Sequence, residues 1–172
     1  MNPLYQFTLP LFVKQLTALD GILVKAQNFV KEQGLSEADL LEKRLAPDMF
    51  PLKKQIQIAC DNAKGAAGRL SGTEIPVHAD DESSFEELRA RIQKTLAFVA
   101  TISEGSCADA NERHVVLPYV PGKYLNGFDY AREYAIPNFF FHVVTAYGIL
   151  RQAGLAIGKT DYMGALPFKD GS

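Results

Sequence analysis

Three histidines, His78, His114 and His142, are the side chains best placed by type to change charge near neutral pH or to ligate a metal. His142 belongs to PNFFFHVVTAYGILRQAGLAIGKTDYMG, residues 137–164, a densely apolar run closed by glycine. On a helical wheel Ile136, Phe139, Phe140, Val143, Tyr147 and Leu150 form one apolar arc, and His142 falls at its border. A histidine there can bond a buried polar neighbour, act as a general base or ligand contact in a pocket, or hold a metal. Tyr147 lies on the arc itself, so its hydroxyl needs a partner. His78 sits in a polar loop and reads as solvated, and His114 opens an extended segment and reads as surface. Lys159, Asp161 and Tyr162 form a polar cluster in the tail. Asp161 holding a turn is the simpler reading of that cluster, and a tail folded back to close a pocket with His142 is the alternative. Cys60 reads as a small apolar core residue, and Asp61 with Lys64 as a charge pair on a solvated face. No phosphate-binding glycine loop, HExxH, GxSxG or paired-cysteine motif is present.

The elements that must hold these groups are helical. Apolar residues recur at helical spacing from Leu4 to Gln33, with Pro10 either in the first turn or at a kink and Gly34 at the end. Ser36 and Asp39 signal a short helix that Pro47 stops. A second long helix is expected from about Asp48, with Pro51 in its first turn and an apolar face of Leu52, Ile56, Ala59, Ala63, Ala66 and Leu70. Its small residues from Ala63 to Gly68 would let another helix, or another subunit, approach closely. After a polar loop, Ser84 and Glu87 mark the start of a third helix, in which Glu87 and Arg91 are spaced to pair. Residues 114–127 break the helical pattern, and Pro121-Gly122 centres a predicted β-hairpin with a type II turn. A fourth helix is expected from about Asp129 to Ala153, bent or broken at Pro137, before a tail of ordered coil. Four long amphipathic helices imply an all-α four-helix bundle with a small hairpin between the third and fourth.

At 172 residues the chain suits one domain, 1–172, that buries its core without disulfides or metal. A formal charge of -2 gives no electrostatic case for nucleic acid. Two cysteines build no disulfide framework, so a reduced, cytoplasmic setting is expected. The N-terminal stretch lacks a basic start and a small-residue cleavage site, and no stretch is expected to reach membrane-spanning length, so no membrane partner is expected.

DMFPLKKQIQIACDNAKGAAGRL, residues 48–70, together with the 137–164 block, resembles a bacterial domain family of unknown function within the DinB/YfiT-like superfamily. The resemblance covers nearly the whole chain, and the second block is its most specific part. It implies an up-down-down-up bundle with a long crossover, often assembled as a homodimer. Many superfamily members hold a divalent metal with one histidine on the second helix and two, at i and i+4, on the fourth. Some are thiol-dependent transferases. Here the fourth-helix positions correspond to Asn138 and His142, and the second-helix position falls near Gln55 or Gln57, of which Gln55 can face the bundle while Gln57 points away. One imidazole and two neutral amides suit zinc or nickel poorly. The first expectation is therefore a bundle with a degenerate triad and no cofactor, a homodimer that binds a small molecule or a partner protein, with ligand contacts at Gln55, Asn138, His142 and Tyr147. The alternatives are a metal- or thiol-dependent transferase or hydrolase with His142 as the catalytic residue and zinc or nickel bound, and a purely structural dimeric bundle.

Overall fold

The Asn2 side chain caps a first short helix, α1 (Pro3–Gln6), by accepting the Tyr5 amide. Residues 1–171 are described by this computed structural model. The main N-terminal helix, α2, runs Leu9–Gln33 with Pro10 in its first turn, where a missing amide donor costs nothing. The expected single run from Leu4 is thus two helices, parted at Phe7 and Thr8. Gly34 ends α2 at φ +62°, and the Leu35 amide reaches back to the Val30 carbonyl at 3.0 Å. Ser36 caps α3 (Glu37–Glu42) as its spacing predicts, accepting the Asp39 amide at 3.1 Å.

Helix α4 spans Leu52–Ser71. It starts later than the sequence suggests because Pro51 occupies the cap and the preceding loop is folded on itself, with the Leu52 amide on the Lys43 carbonyl at 2.8 Å. A crossover, residues 72–84, leads to α5 (Phe85–Ala100), where Ser84 accepts the Glu87 amide at 3.2 Å. The Glu87 carboxylate returns to the Ser83 amide at 2.6 Å, one residue ahead of the expected capping-box partner. The hairpin forms as predicted: β1 (His114–Val115) pairs antiparallel with β2 (Leu125–Asn126), and Gly122 takes the positive φ, +75°, that a type II turn requires after Pro121. Then come α6 (Gly127–Asp129), a π-helical turn (Tyr130–Ala135) and α7 (Ile136–Gln152). Pro137 lies in the first turn of α7, and the π turn ahead of it absorbs the lost donor, so the expected break is a change of helical pitch. The tail is not coil, since Lys159–Met163 forms α8.

Side-chain pairings give the helix directions. Asp20 of α2 meets Arg89 of α5, and Tyr5 meets Ile102, so these helices run antiparallel. Gln55 and Asn62 of α4 meet His142 and Asn138 of α7, also antiparallel. Both α4 and α5 begin beside α3 and so run the same way: the Leu52 amide bonds Lys43, and the Phe85 amide bonds Glu37. The result is the up-down-down-up bundle. Its core is fully buried Leu16, Leu19 and Leu23 from α2, Ile56 and Ala59 from α4, Ile92 from α5 and Phe139 from α7, each large apolar side chain stabilising by about 1.5–3 kcal/mol. Phe12 and Phe139 pack as a tilted pair with ring centroids 4.3 Å apart.

Two expectations change here. The stretch Pro3–Gln33 is long and apolar enough to cross a membrane by length and composition, with mean hydropathy 1.4 in its most apolar window, whereas no such stretch was expected. In the bundle its Phe12, Leu16, Leu19 and Leu23 are core residues. The small-residue end of α4 is covered by the chain itself: a Cβ on Gly68 would strike the crossover at Ile75 and come within 2.8 Å of the Thr73 carbonyl. That stretch leaves no surface for a second subunit.

Candidate functional site

The antiparallel register of α4 and α7 sets Gln55 opposite His142, with Nδ1 and Oε1 2.6 Å apart. Gln55 Nε2 donates to the Phe50 carbonyl at 2.9 Å, which can only accept, so Oε1 faces the ring. The proton of His142 therefore sits on Nδ1, and Nε2 keeps its lone pair. Burial pushes the imidazole down to about 4, because a cation there would lose its hydration. His142 is neutral at pH 7. One turn away, Asn138 Nδ2 donates to Asn62 Oδ1 at 2.9 Å, and Asn62 Nδ2 donates to the Ile58 carbonyl at 3.0 Å.

Of the residues singled out in the sequence, Gln55 and His142 are joined directly, and Asn138 bonds Asn62 instead of either. Tyr147 lies apart, its ring 6.0 Å from that of Tyr162 on α8. It lines a cleft of about 200 Å3 with Val144, Lys159 and Tyr162 that His142 does not line. The tail does not close a pocket on His142, because α8 docks on α2. Gln15 Nε2 donates to the Tyr162 carbonyl at 2.6 Å, and Lys25 pairs with Asp161 at 2.5 Å. Asp161 also accepts the Gly158 amide at 2.8 Å, the turn-holding role its type suggests, and Lys25 keeps its carboxyl below the usual range.

These donors do not fit the divalent metal that the superfamily implies. Gln55 Oε1 already accepts from His142, and Asn138 is bound to Asn62. Among the described residues no group of three His, Cys, Asp or Glu side chains could hold a metal ion.

A second polar cluster was not legible in the sequence. Arg91 is only 2% exposed and does not pair with Glu87. Its Nη1 donates to the Ala79 carbonyl at 2.8 Å and to Glu82 at 3.0 Å, and its Nη2 meets Asp61 at 2.8 Å and Asp80 at 3.0 Å. Burial works against its charge, but the bond to Glu82 and the field of Asp61 outweigh it, and the guanidinium holds its proton more tightly than usual. The crossover that carries Asp80 and Glu82 roofs the α4 face expected to be solvated. Hence Gln57 does not point away: it is buried and donates to Glu82 at 2.8 Å. Lys64 pairs with Asp61 at 3.0 Å as its spacing suggests, but is itself buried. His78, expected in solvent, is half-buried with Nδ1 shielded and unpartnered; burial, then Lys64 and Arg91, lower its pKa. His114 is a surface residue as expected, stacked 4.0 Å from Tyr124. Burial pushes the Cys60 thiol up to about 12, which fits an inert packing role. The sequence signal for this cluster was the acidic run Asp80-Asp81-Glu82 just before a helix start.

A crystal structure of a DinB family member protein from Shewanella denitrificans is 44% identical and superposes with a TM-score of 0.93, covering 98% of this chain and 96% of that one. Comparison with curated proteins gives no match. The profile of a domain of unknown function, DUF1993, matches residues 4–163. The chain belongs to the DUF1993 family and has the DinB-like all-α fold.

Proposed function

We propose that this protein is a binding bundle that works through a surface instead of a metal centre, with the α7 face beside His142 docking a second copy of the chain. The observation that carries the reading is the neutral His142, 7% exposed and tied to Gln55, next to Phe141 at 54% exposure. Phe141, Val144 and Gly148 follow one another at i, i+3 and i+7 along one face of α7. Leu45 reaches to about 4.0 Å from where a Gly148 Cβ would stand, and the Phe50 carbonyl accepts from Gln55. Single exposed apolar side chains are ordinary, but Leu45, Phe50, Phe141 and Val144 are all exposed along one region, as docking faces are. A two-fold dimer would use this face on both copies, and the superfamily's tendency to dimerise supports that choice. In this reading Gln55, Asn138 and Asn62 set the spacing of α4 and α7 beneath the interface. Light scattering at micromolar concentration should give a dimer for the natural sequence and a folded monomer for the pair Phe141→Glu, Val144→Glu. A natural sequence that scatters as a monomer overturns the proposal.

A second reading rests on the free lone pair of His142 Nε2, which could take a proton from a substrate hydroxyl or thiol in a transfer or hydrolysis reaction. Transfer and hydrolysis assays on tag-free protein separate the two: turnover that His142→Gln abolishes while the dimer persists supports the enzyme reading, and an intact dimer without turnover supports the binding bundle.

A further inference from the structure

Of the seven arginines, Arg69 alone, among the described residues, bonds neither a carboxylate nor a backbone carbonyl. Its one bond runs from Nη1 to the Tyr130 hydroxyl at 3.5 Å, which leaves four of its five N–H donors free. Arg69 is half-buried, yet its free nitrogens are not sealed off as the Nε atoms of Arg91 and Arg113 are, so an occupant can reach them.

The guanidinium is held in place. It lies 5.8 Å from the centroid of the Tyr130 ring, and a Cβ on Gly65 would strike its Nη1. Glycine weakens a helix interior, and here its bare backbone is what lets the guanidinium fold back along α4. Tyr134 stacks on the buried Tyr130 with centroids 5.7 Å apart, and Tyr119 of the hairpin stands 6.3 Å from Tyr134. Partial burial, the Tyr134 hydroxyl and, in the opposite sense, the Arg69 charge all act on the Tyr119 phenol, with a net push above the usual tyrosine range. It is therefore protonated and can donate. Tyr130 and Tyr134 both belong to the π-helical turn, a rare geometry that recurs at functional sites. The cluster lies about 20 Å along α4 from Gln55, well away from His142.

Charge and donor number give the class of occupant. The carboxylates of the same turn and its flank, Glu133 and Asp129, are taken by Arg132, so Arg69 keeps an unneutralised charge. A guanidinium fork beside phenol hydroxyls suits an oxyanion. Its free donors together with the hydroxyls outnumber the two oxygens of a carboxylate, whereas a phosphate group presents three.

We propose that Arg69, with the hydroxyls of Tyr134 and Tyr119, binds a phosphate group, either free phosphate or a small phosphate monoester. The fork takes two oxygens and a phenol O–H the third, while Tyr130 is a positioning residue that holds Arg69. Amide NMR of the full-length protein titrated with inorganic phosphate at pH 7 and constant ionic strength tests it. Shifts centred on residues 65–69, 119 and 130–134 are expected, with a Kd of about 1 mM or tighter. Tighter binding of glycerol 3-phosphate assigns the site to a monoester, and equal affinity assigns it to phosphate itself. Acetate should bind about tenfold more weakly, lacking the third oxygen. Arg69→Lys should weaken phosphate binding about fivefold, since an ammonium makes no two-pronged contact, and Arg69→Gln should abolish it. Tyr134→Phe keeps the ring stack and should weaken binding about threefold by removing one donor; it carries the test if Arg69→Gln unfolds. An absence of shifts up to about 20 mM phosphate overturns the proposal. So does acetate binding as tightly with the same shifts, or unchanged affinity in Arg69→Gln, or in Tyr134→Phe where Arg69→Gln unfolds.

Discussion

Arg91 on α5 and Asp61 on α4 meet at 2.8 Å across the bundle, and the same guanidinium holds Asp80 and Glu82 of the crossover. One side chain thus fastens three segments that are far apart in sequence. Removing it would leave the largely covered Glu82 without a cation, while Asp61 and Asp80 keep Lys64 and Lys54. Arg91→Met should cost about 3–5 kcal/mol in urea unfolding, as removal of one partner of a buried ion cluster does. Arg91→Lys should recover only part of this loss, because an ammonium cannot span the Ala79 carbonyl, Glu82 and Asp61 with one planar fork.

The imidazole of His142 makes stability depend on pH. Unfolded, it takes a proton below about 6.5; folded, it resists protonation down to about 4. The unfolded chain therefore binds more protons across that window. This contribution is fully present above the unfolded value and is lost as pH falls toward the folded one. At pH 5 the natural sequence should have lost about 2 kcal/mol relative to pH 8 from this group alone. His142→Gln should show a correspondingly flatter profile in thermal melts at the two pH values.

Gly127, at the start of α6, is a site where a methyl group has no room. An added Cβ would overlap the Ala110 carbonyl oxygen, which is backbone and cannot swing aside. Gly127→Ala should destabilise by about 1–3 kcal/mol or more, the cost of overpacking. Chemical denaturation measures it.

Asp161 gives α8 its hold. It accepts the Gly158 amide and pairs with Lys25, while Gln15 holds the Tyr162 carbonyl independently. Asp161→Ala should therefore loosen the tail without releasing it. The expected global loss is within about 1 kcal/mol, since a pair this open to solvent is weak. Hydrogen exchange should quicken at residues 158–163 and nowhere else.

The long helices were legible because burial imposes a 3.6-residue rhythm that residues such as Leu52, Ile56, Ala59 and Ala63 display without reference to any partner. Ser84 was legible as a cap for the same reason, its partner Glu87 being three residues away. The pairing of His142 with Gln55 could be suspected, since both fall toward the bundle, but Asn62 as partner of Asn138 could not. Arg91 was misread because Glu87 is its neighbour in sequence, whereas the carboxylates it holds are 9, 11 and 30 positions away. A helical wheel distinguishes core from not-core; it cannot say that a crossover will roof the not-core side of α4. Gln57 and Lys64 were misplaced by that one omission. Pro137 announced a local disturbance, but whether a kink or a π turn accommodates it depends on how Tyr130 and Ala135 are buried around it.

Fourteen of the twenty residues of α4 are buried, including an arginine-linked polar side as well as the apolar one. A helix sheathed on every flank opens only when its neighbours do, so its amides should exchange at the rate of whole-molecule unfolding. Variation that tunes this fold for different tasks is consequently pushed outward, to α7, α8 and the crossover, while the central rod is left almost no freedom to change.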